Sequence, residues 1–354
     1  MSRFLNRRYQ SLAVYTPGEQ PRDMAYIKLN TNESPYPAAP EVVRSIGKTE
    51  LENLRLYSDP ECKPLIQKLA QVYGVLPENI FVSNGSDDIL NFSFMAFAGE
   101  PGKAVFPDIT YGFYQVYADL YQIDAVKIPL AEDFSIDYRT YCGLDAMIVL
   151  ANPNAQVGRA LPRWQMEEII ASNPNHVVVV DEAYVDFGAE SCVPLVGKYS
   201  NLLVIQTYSK SRSMAGARLG FAIGNPELIG DLNRIKYSTN PYNVNRLTMA
   251  AGIAALDAQT YYKENCEKIM QTRAYTTQAL TELGFTVVPS QANFIFAAHP
   301  EYDGEALYLA LKQRGILVRH FSDARIRNYN RITIGTMEQM QTLVQTVSEL
   351  LGGR

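Results

Sequence analysis

Histidine and tryptophan are scarce in these 354 residues, with three of the first and one of the second. With only His176, His299 and His320 and no H-E-x-x-H, a histidine metal site would need distant carboxylates to complete it, so no metal is expected. The four cysteines, Cys62, Cys142, Cys192 and Cys266, stand far apart without a C-x-x-C pair. That spacing excludes a disulfide framework and a zinc ribbon, and reads as the reduced thiols of a cytoplasmic protein. No stretch approaches the roughly 18 consecutive apolar residues of a membrane span, and MSRFLNRRYQSLAVY carries positive charge without the apolar core of an export signal. A net charge of −5 offers no basic surface to a phosphate backbone, so nucleic acid is not an expected partner. Several ligand motifs are missing too. No G-x-G-x-x-G follows a strand, G-x-S-x-G does not occur, and GKT at 47–49 has Val42 where a P-loop needs its leading glycine.

What remains is an ordinary globular composition, 47% hydrophobic and 19% charged, long enough for about two domains. From residue 40 onward helical periods alternate with short apolar runs. Helices are expected at PLIQKLAQVYG, SDDILNFSFMAFAG, YGFYQVYADLYQ and PRWQMEEIIAS. Strands are expected at NIFVSNG, KAVFP, AMIVLANPN, HVVVVDEAY, NLLVIQTYS and LGFAIGN. Runs such as Val177–Val180 are apolar on both faces, which suits a parallel or mixed sheet covered by helices on each side. The class is α/β. After NPYNVNRL the pattern turns to long helices with ANFIFAA, ILVRHF and RITIG between them, a smaller α+β unit that we expect the N-terminal arm to join. Thr336 and Gln339 stand at capping-box spacing before the last helix.

Ligands of open α/β sheets bind beyond the carboxyl ends of the strands, so the residues after each apolar run carry the functional signal. IFVSN is followed by Gly85, Ser86 and Asp87 at a helix start, which is an anion site or a plain N-cap. VVVV is followed by Asp181, either a functional acid or a structural ion-pair partner. LLVIQTYS is followed by Lys210, which alone would read as a surface lysine, and Arg218 comes eight residues later across Ala215, Gly216 and Ala217. Together at one sheet edge, a phosphate cradle, an acid, an amine and an arginine are the parts needed to hold pyridoxal 5′-phosphate.

In order and spacing, the segments YTPGEQPRD, IKLNTNESPYP, LYSDPE, SNGSDDIL, ANPNAQVG, VVDEAYVDFG, TYSKSRSMAGARLGFAIG, NPYNVNR and RITIGT resemble the fold-type I pyridoxal-phosphate aminotransferases, and within them the histidinol-phosphate aminotransferases. The resemblance implies a large domain with a mostly parallel seven-stranded sheet at 31–240, an arm at 1–30 and a small α+β domain at 241–354. It implies Lys210 as the Schiff-base lysine and proton shuttle, Asp181 against the pyridine nitrogen, Tyr184 on the phenolic oxygen and Tyr111 on the ring face. Gly85, Ser86, Asp87, Thr207, Ser209 and Arg218 would bind the coenzyme phosphate, joined by Tyr57 from the second subunit of a homodimer with shared sites. The usual N-P-N-x-P-T-G reads here Asn152 to Gly158. Ala155 therefore stands where many relatives have asparagine, and Asn154 is the expected coenzyme contact. Arg331 would hold the anionic end of the substrate, assisted by Arg319 and Tyr15. The activity implied is amino transfer between L-histidinol phosphate and 2-oxoglutarate, giving imidazole-acetol phosphate and L-glutamate in histidine biosynthesis. Rival activities on the same scaffold are an aromatic-amino-acid transaminase and a phosphothreonine-type decarboxylase. A non-catalytic DNA-binding regulator would need an added basic segment that is not present.

Overall fold

The computed structural model describes residues 2–10, 12 and 15–352, so the arm and small-domain expectations lie outside the described residues at 1, 11, 13, 14, 353 and 354. A short strand β1 (Ile27–Lys28) lies in the arm. Seven strands then build the central sheet: β2 (Ile80–Ser83), β3 (Lys103–Pro107), β4 (Asp124–Ile128), β5 (Met147–Ala151), β6 (Val178–Asp181), β7 (Leu202–Thr207) and β8 (Gly220–Gly224), in the order β2-β8-β7-β6-β5-β3-β4. β7, β6, β5, β3 and β4 run parallel, while β8 is antiparallel to both its neighbours. Because β8 is reversed, β2 points the same way as β7. The carboxyl ends of β2, β5, β6 and β7 therefore meet at the edge where β8 begins. Residues after four strands and the residue just before a fifth converge there.

The inner strands are buried on both faces, as their Val and Ile runs require, and separate apolar clusters fill the two sides. The expected helices form at Lys63–Tyr73, Ser86–Phe97, Phe113–Tyr121 and Arg163–Ser172. The edge strand β4 escapes the apolar-run reading because Asp124 and Lys127 break its hydrophobic pattern and leave it largely exposed.

The remaining strands are β9 (Thr286–Val288), β10 (Phe294–Ala298), β11 (Ile316–Leu317), β12 (Arg319–His320) and β13 (Tyr329–Thr333). β12, β13, β10 and β9 make an antiparallel sheet, and β1 pairs in parallel with β11. The arm is thus stitched to this smaller unit, with the Leu29 N–H donating to the Leu317 carbonyl at 2.8 Å. The Thr336 and Gln339 capping box forms, each side chain accepting from the other's backbone N–H, and opens the helix Met337–Gly352. The helix Arg246–Asp257 buries Ala251, Ala255 and Leu256 in the cluster that also holds Leu65 and Leu219. That core continues past residue 241 through this helix to Tyr262 at the start of the long helix Gln259–Glu282.

Candidate active site

Asp181 ends β6 with its side chain on the cavity side of the sheet, 4% exposed. Oδ2 accepts a hydrogen bond from the Tyr114 hydroxyl at 2.9 Å, and Oδ1 accepts from the Ala183 N–H at 3.2 Å. No cation bonds it. Burial pushes the carboxyl up to about 6, against these hydrogen bonds, which favour the ionised form. Lys210 follows β7, and its Nζ donates to the Thr31 carbonyl at 3.3 Å and lies 5.7 Å from the centre of the Tyr184 ring. The Tyr184 hydroxyl accepts from Asn32 Nδ2 at 3.0 Å, which leaves its own proton to donate elsewhere.

At the other end of this cleft the helix Ser86–Phe97 starts from Gly85, whose φ of +88° suits glycine. Of the two readings of this helix start, the plain N-cap is not formed: its N-cap residue is Gly85 and no side-chain cap bond is made. Its first-turn N–H groups stay open to an anion. A Cβ on Gly85 would meet Arg218 Nη2 at 2.7 Å, and one on Gly220 would meet the Ser86 nitrogen at 2.4 Å, so these two glycines let the guanidinium close on the helix start. Arg218 Nη2 donates to Asp87 Oδ2 at 2.8 Å, and the Tyr111 hydroxyl donates to Asp87 Oδ1 at 2.7 Å. Thr207 and Ser209 hydroxyls lie 3.0 Å apart beside them.

Ser86, Asp87, Tyr111, Asp181, Tyr184, Thr207, Ser209, Lys210 and Arg218 line a single cavity of about 350 Å³, although Ser86 and Arg218 are 132 positions apart in the sequence. Tyr111, Tyr184 and Lys210 also line an adjoining cavity of about 540 Å³ that holds Tyr15, Arg319 and Arg331. The register of β12 on β13 sets Arg319 opposite Arg331. Arg331 Nη1 donates to the Ala155 carbonyl at 2.9 Å, whereas its buried Nε has no hydrogen-bond partner among the described residues and can take an anion. Both terminal nitrogens of Arg319 bond the arm, Nη2 to the Thr16 carbonyl at 2.8 Å and Nη1 to that of Pro17 at 3.0 Å. That holds Tyr15 over the mouth, its ring stacked 4.2 Å from Phe113. Burial raises the Tyr15 hydroxyl, so it stays a neutral donor.

Two expected site residues lie elsewhere. The Asn154 amide is spent on backbone groups: Oδ1 accepts from the Gln156 and Val157 N–H groups of its own loop at 2.8 and 3.1 Å, and Nδ2 donates to the Ile109 carbonyl at 2.9 Å. It lines a different cavity, with Phe134 and Arg159, whereas Ala155 lines the cavity that holds Lys210. We therefore withdraw Asn154 as a coenzyme contact. Tyr57 is 82% exposed and stacks on Tyr242 at 4.6 Å, away from both cavities of its own chain. Sequence reasoning missed Asn32, Tyr114 and Thr31. Asn32 and Thr31 sit within the quoted NTNES segment, but nothing local says that the chain returns 152 residues later to meet Tyr184.

An acid at one end, an amine between and an arginine beside an uncapped helix start at the other fit the pyridoxal 5′-phosphate that the sequence implies. The orphan Nε of Arg331 adds an anion site where a substrate would enter. The family of aminotransferases class I and II matches residues 25–347. The histidinol-phosphate aminotransferase of Brachyspira hyodysenteriae is 50% identical over 352 residues, 99% of each chain. That of Marinomonas sp. is 48% identical over 353 residues, 99% of this chain and 100% of the other. The histidinol-phosphate aminotransferase of Sinorhizobium meliloti, solved in complex with pyridoxal 5′-phosphate, is similar with a TM-score of 0.87 at 26% identity, covering 100% of this chain and 98% of that one. With this edge constellation and a match along nearly its whole length, the chain belongs to the class I and II aminotransferases and, within them, to the histidinol-phosphate aminotransferases.

Proposed function

We propose that this chain, with pyridoxal 5′-phosphate, transfers the amino group of L-histidinol phosphate to 2-oxoglutarate, giving imidazole-acetol phosphate and L-glutamate. The observation that carries this reading is the convergence of Lys210, Asp181 and Arg218 on one cavity, opening onto a second that holds Arg331. The coenzyme would supply an electron sink for the pair left at the substrate carbon when its proton departs.

The chain's own residues divide the rest. Arg218, the hydroxyls of Thr207 and Ser209 and the backbone N–H groups at Ser86 and Asp87 would hold the phosphate. Asp181 would keep a proton on the ring nitrogen. A carboxylate already buried with only neutral partners gains most from a cation placed beside it. Tyr184, its hydroxyl lone pair taken by Asn32, would donate to the phenolic oxygen, and Tyr111 would cover one ring face. Lys210 would carry the proton between the substrate carbon and the coenzyme carbon, a short path at the junction of the two cavities. Arg331 would clamp the phosphate of one substrate and the carboxylate of the other, with Tyr15 excluding water above it.

A homodimer with shared sites belongs to the same reading. Tyr57 is strongly exposed in company with Leu51, Leu54, Leu56 and Tyr242, an apolar surface suited to a second copy, whose cavity would receive the Tyr57 hydroxyl. No helix of the described residues is long and apolar enough to cross a membrane. A cytoplasmic location is our reading of the widely spaced cysteines. The deciding experiment is a panel of amino donors assayed with 2-oxoglutarate. Histidinol phosphate should lead; preference for phenylalanine or tyrosine would make the chain an aromatic transaminase, and release of carbon dioxide would make it a decarboxylase.

A further inference from the structure

Behind the sheet edge, on the side away from the coenzyme cavity, lies a polar network that the reaction does not use. Strand alternation sends Asp181 to one face and Glu182 to the other, and likewise separates Thr207 from Gln206. Gln206 Nε2 donates to Glu182 Oε2 at 2.8 Å, tying the two strands together beneath the site. The Tyr73 hydroxyl donates to Gln206 Oε1 at 2.6 Å and accepts from Arg212 Nη2 at 3.1 Å. Arg212 is 6% exposed. Its Nη1 lies 3.5 Å from Asp186 Oδ2, which also accepts a hydrogen bond from the Ser211 hydroxyl. Its guanidinium carbon sits 5.2 Å over the Tyr208 ring.

The sequence arithmetic makes this arrangement pointed. Asp186 comes two residues after Tyr184, and Ser211 and Arg212 come one and two residues after Lys210. The turns that leave the two strands are therefore fastened to each other immediately behind the residues that face the cavity. The turn after Lys210 is itself tight, with the Ser213 N–H bonded to the Lys210 carbonyl at 3.2 Å and Ser213 at a φ of +54°. Arg212 is buried, but the Asp186 side chain is 41% exposed and Arg212 Nη1 makes no hydrogen bond among the described residues, so the ion pair adds little net stability and its place here calls for another use.

We infer that Arg212 is a positioning residue for amino transfer: paired with Asp186, it holds the Lys210 turn at a fixed spacing from the turn that carries Tyr184. The inference rests on the functional reading of Lys210 given above. Arg212 lines neither the coenzyme cavity nor the adjoining one. It acts through Ser211 and Asp186, and the fixed guanidinium fork reaches Asp186 and Tyr73 at once, which a lysine ammonium does less well.

The test uses full-length holoenzyme and three readouts: coenzyme affinity, the pH midpoint of the visible absorption band, and kcat. Arg212→Met and Asp186→Asn should each weaken coenzyme binding and lower kcat by about tenfold or more, in the range expected when a reacting group is misplaced by less than a bond length. Both should move the spectral midpoint in the same direction, the double variant should be no worse than the poorer single, and Arg212→Lys should recover part of the loss. Variants that melt at lower temperature but keep the wild-type midpoint, affinity and kcat would overturn the inference and leave Arg212 as a structural ion pair. Should Arg212→Met not fold, Arg212→Lys and Ser211→Ala carry the same readouts, and wild-type values in both would likewise overturn it. A wild-type protein that takes up no coenzyme would refute the functional reading itself, a different result from unchanged variants of a coenzyme-bound wild type.

Discussion

The Tyr114 hydroxyl donates a 2.9 Å hydrogen bond to Asp181 Oδ2 at the buried end of β6. A neutral phenol thus stands where a buried carboxylate would ordinarily recruit a cation. The negative charge is left for a cation that arrives with the coenzyme, and the coenzyme-free protein bears the desolvation.

Stability against pH should expose that cost. Asp181 rises from 3.8 to about 6 on folding and Glu182 from 4.5 to about 7, burial being the main cause in each. Both groups bind protons more tightly in the fold, so their contribution is fully present below pH 4 and is lost as pH rises through 6 and 7. Coenzyme-free protein should therefore lose stability from these groups between about pH 4 and 8, and Asp181→Asn should remove up to about 3 kcal/mol of that loss. Thermal melts across this range check it, and an unchanged slope in Asp181→Asn would refute it. In the loaded enzyme the same variant should slow the half-reaction at least about a hundredfold, since an amide cannot hold the ring-nitrogen proton.

Lys210→Ala should bind coenzyme without the visible band that the wild type shows. Among the described residues no other lysine lines this cavity. A spectrum identical to wild type would remove Lys210 from the chemistry.

How much of this was legible beforehand depended on sequence distance. Lys210 and Arg218 were readable because they stand only eight positions apart at the end of an apolar strand, with Ala215, Gly216 and Ala217 leading into Arg218, so spacing alone reports their proximity. The reversed strand β8 then brings Arg218 to the edge where the other strands end. Asn154 misled because its side chain could point into the cavity or close its own turn. Asparagine bonds readily to backbone two residues ahead, and here the Gln156 and Val157 N–H groups won. Tyr114 and Asn32 were invisible for the opposite reason. Each meets its partner only after the chain has crossed the sheet, 67 and 152 residues away. The edge strand Asp124–Ile128 hid behind its charged residues, which solvent tolerates at an edge.

Activity should require two copies. A Lys210→Ala chain mixed with a Tyr57→Phe chain of weakened coenzyme affinity should regain activity after subunit exchange, through sites built from Lys210 of one and Tyr57 of the other. Mass spectrometry of the mixture establishes exchange. Exchanged hybrids without activity would show that Tyr57 serves its own chain or none.

The two arginines at the mouth should fail differently, although the sequence suggested one shared task. Arg331 has a free buried Nε, so it is built to receive an anion, whereas both terminal nitrogens of Arg319 are committed to the carbonyls of Thr16 and Pro17. Truncating one partner of a desolvated charge pair costs about 2–5 kcal/mol, or roughly 30-fold to several-thousand-fold in affinity. Arg331→Ala should therefore raise KM for both histidinol phosphate and glutamate by at least that lower factor. Arg319→Ala should act by releasing the arm. Its effect should be milder, should resemble deletion of residues 1–18, and should be largely absent when combined with that deletion. Tyr15→Phe, which keeps the stacked ring on Phe113 and removes only the hydroxyl, should cost histidinol phosphate more than glutamate, because a phosphate offers more acceptors to a neutral donor. Steady-state kinetics with both donors separates the cases. If Arg319→Ala adds its full penalty on top of the arm deletion, its guanidinium binds substrate directly and the arm contact is incidental.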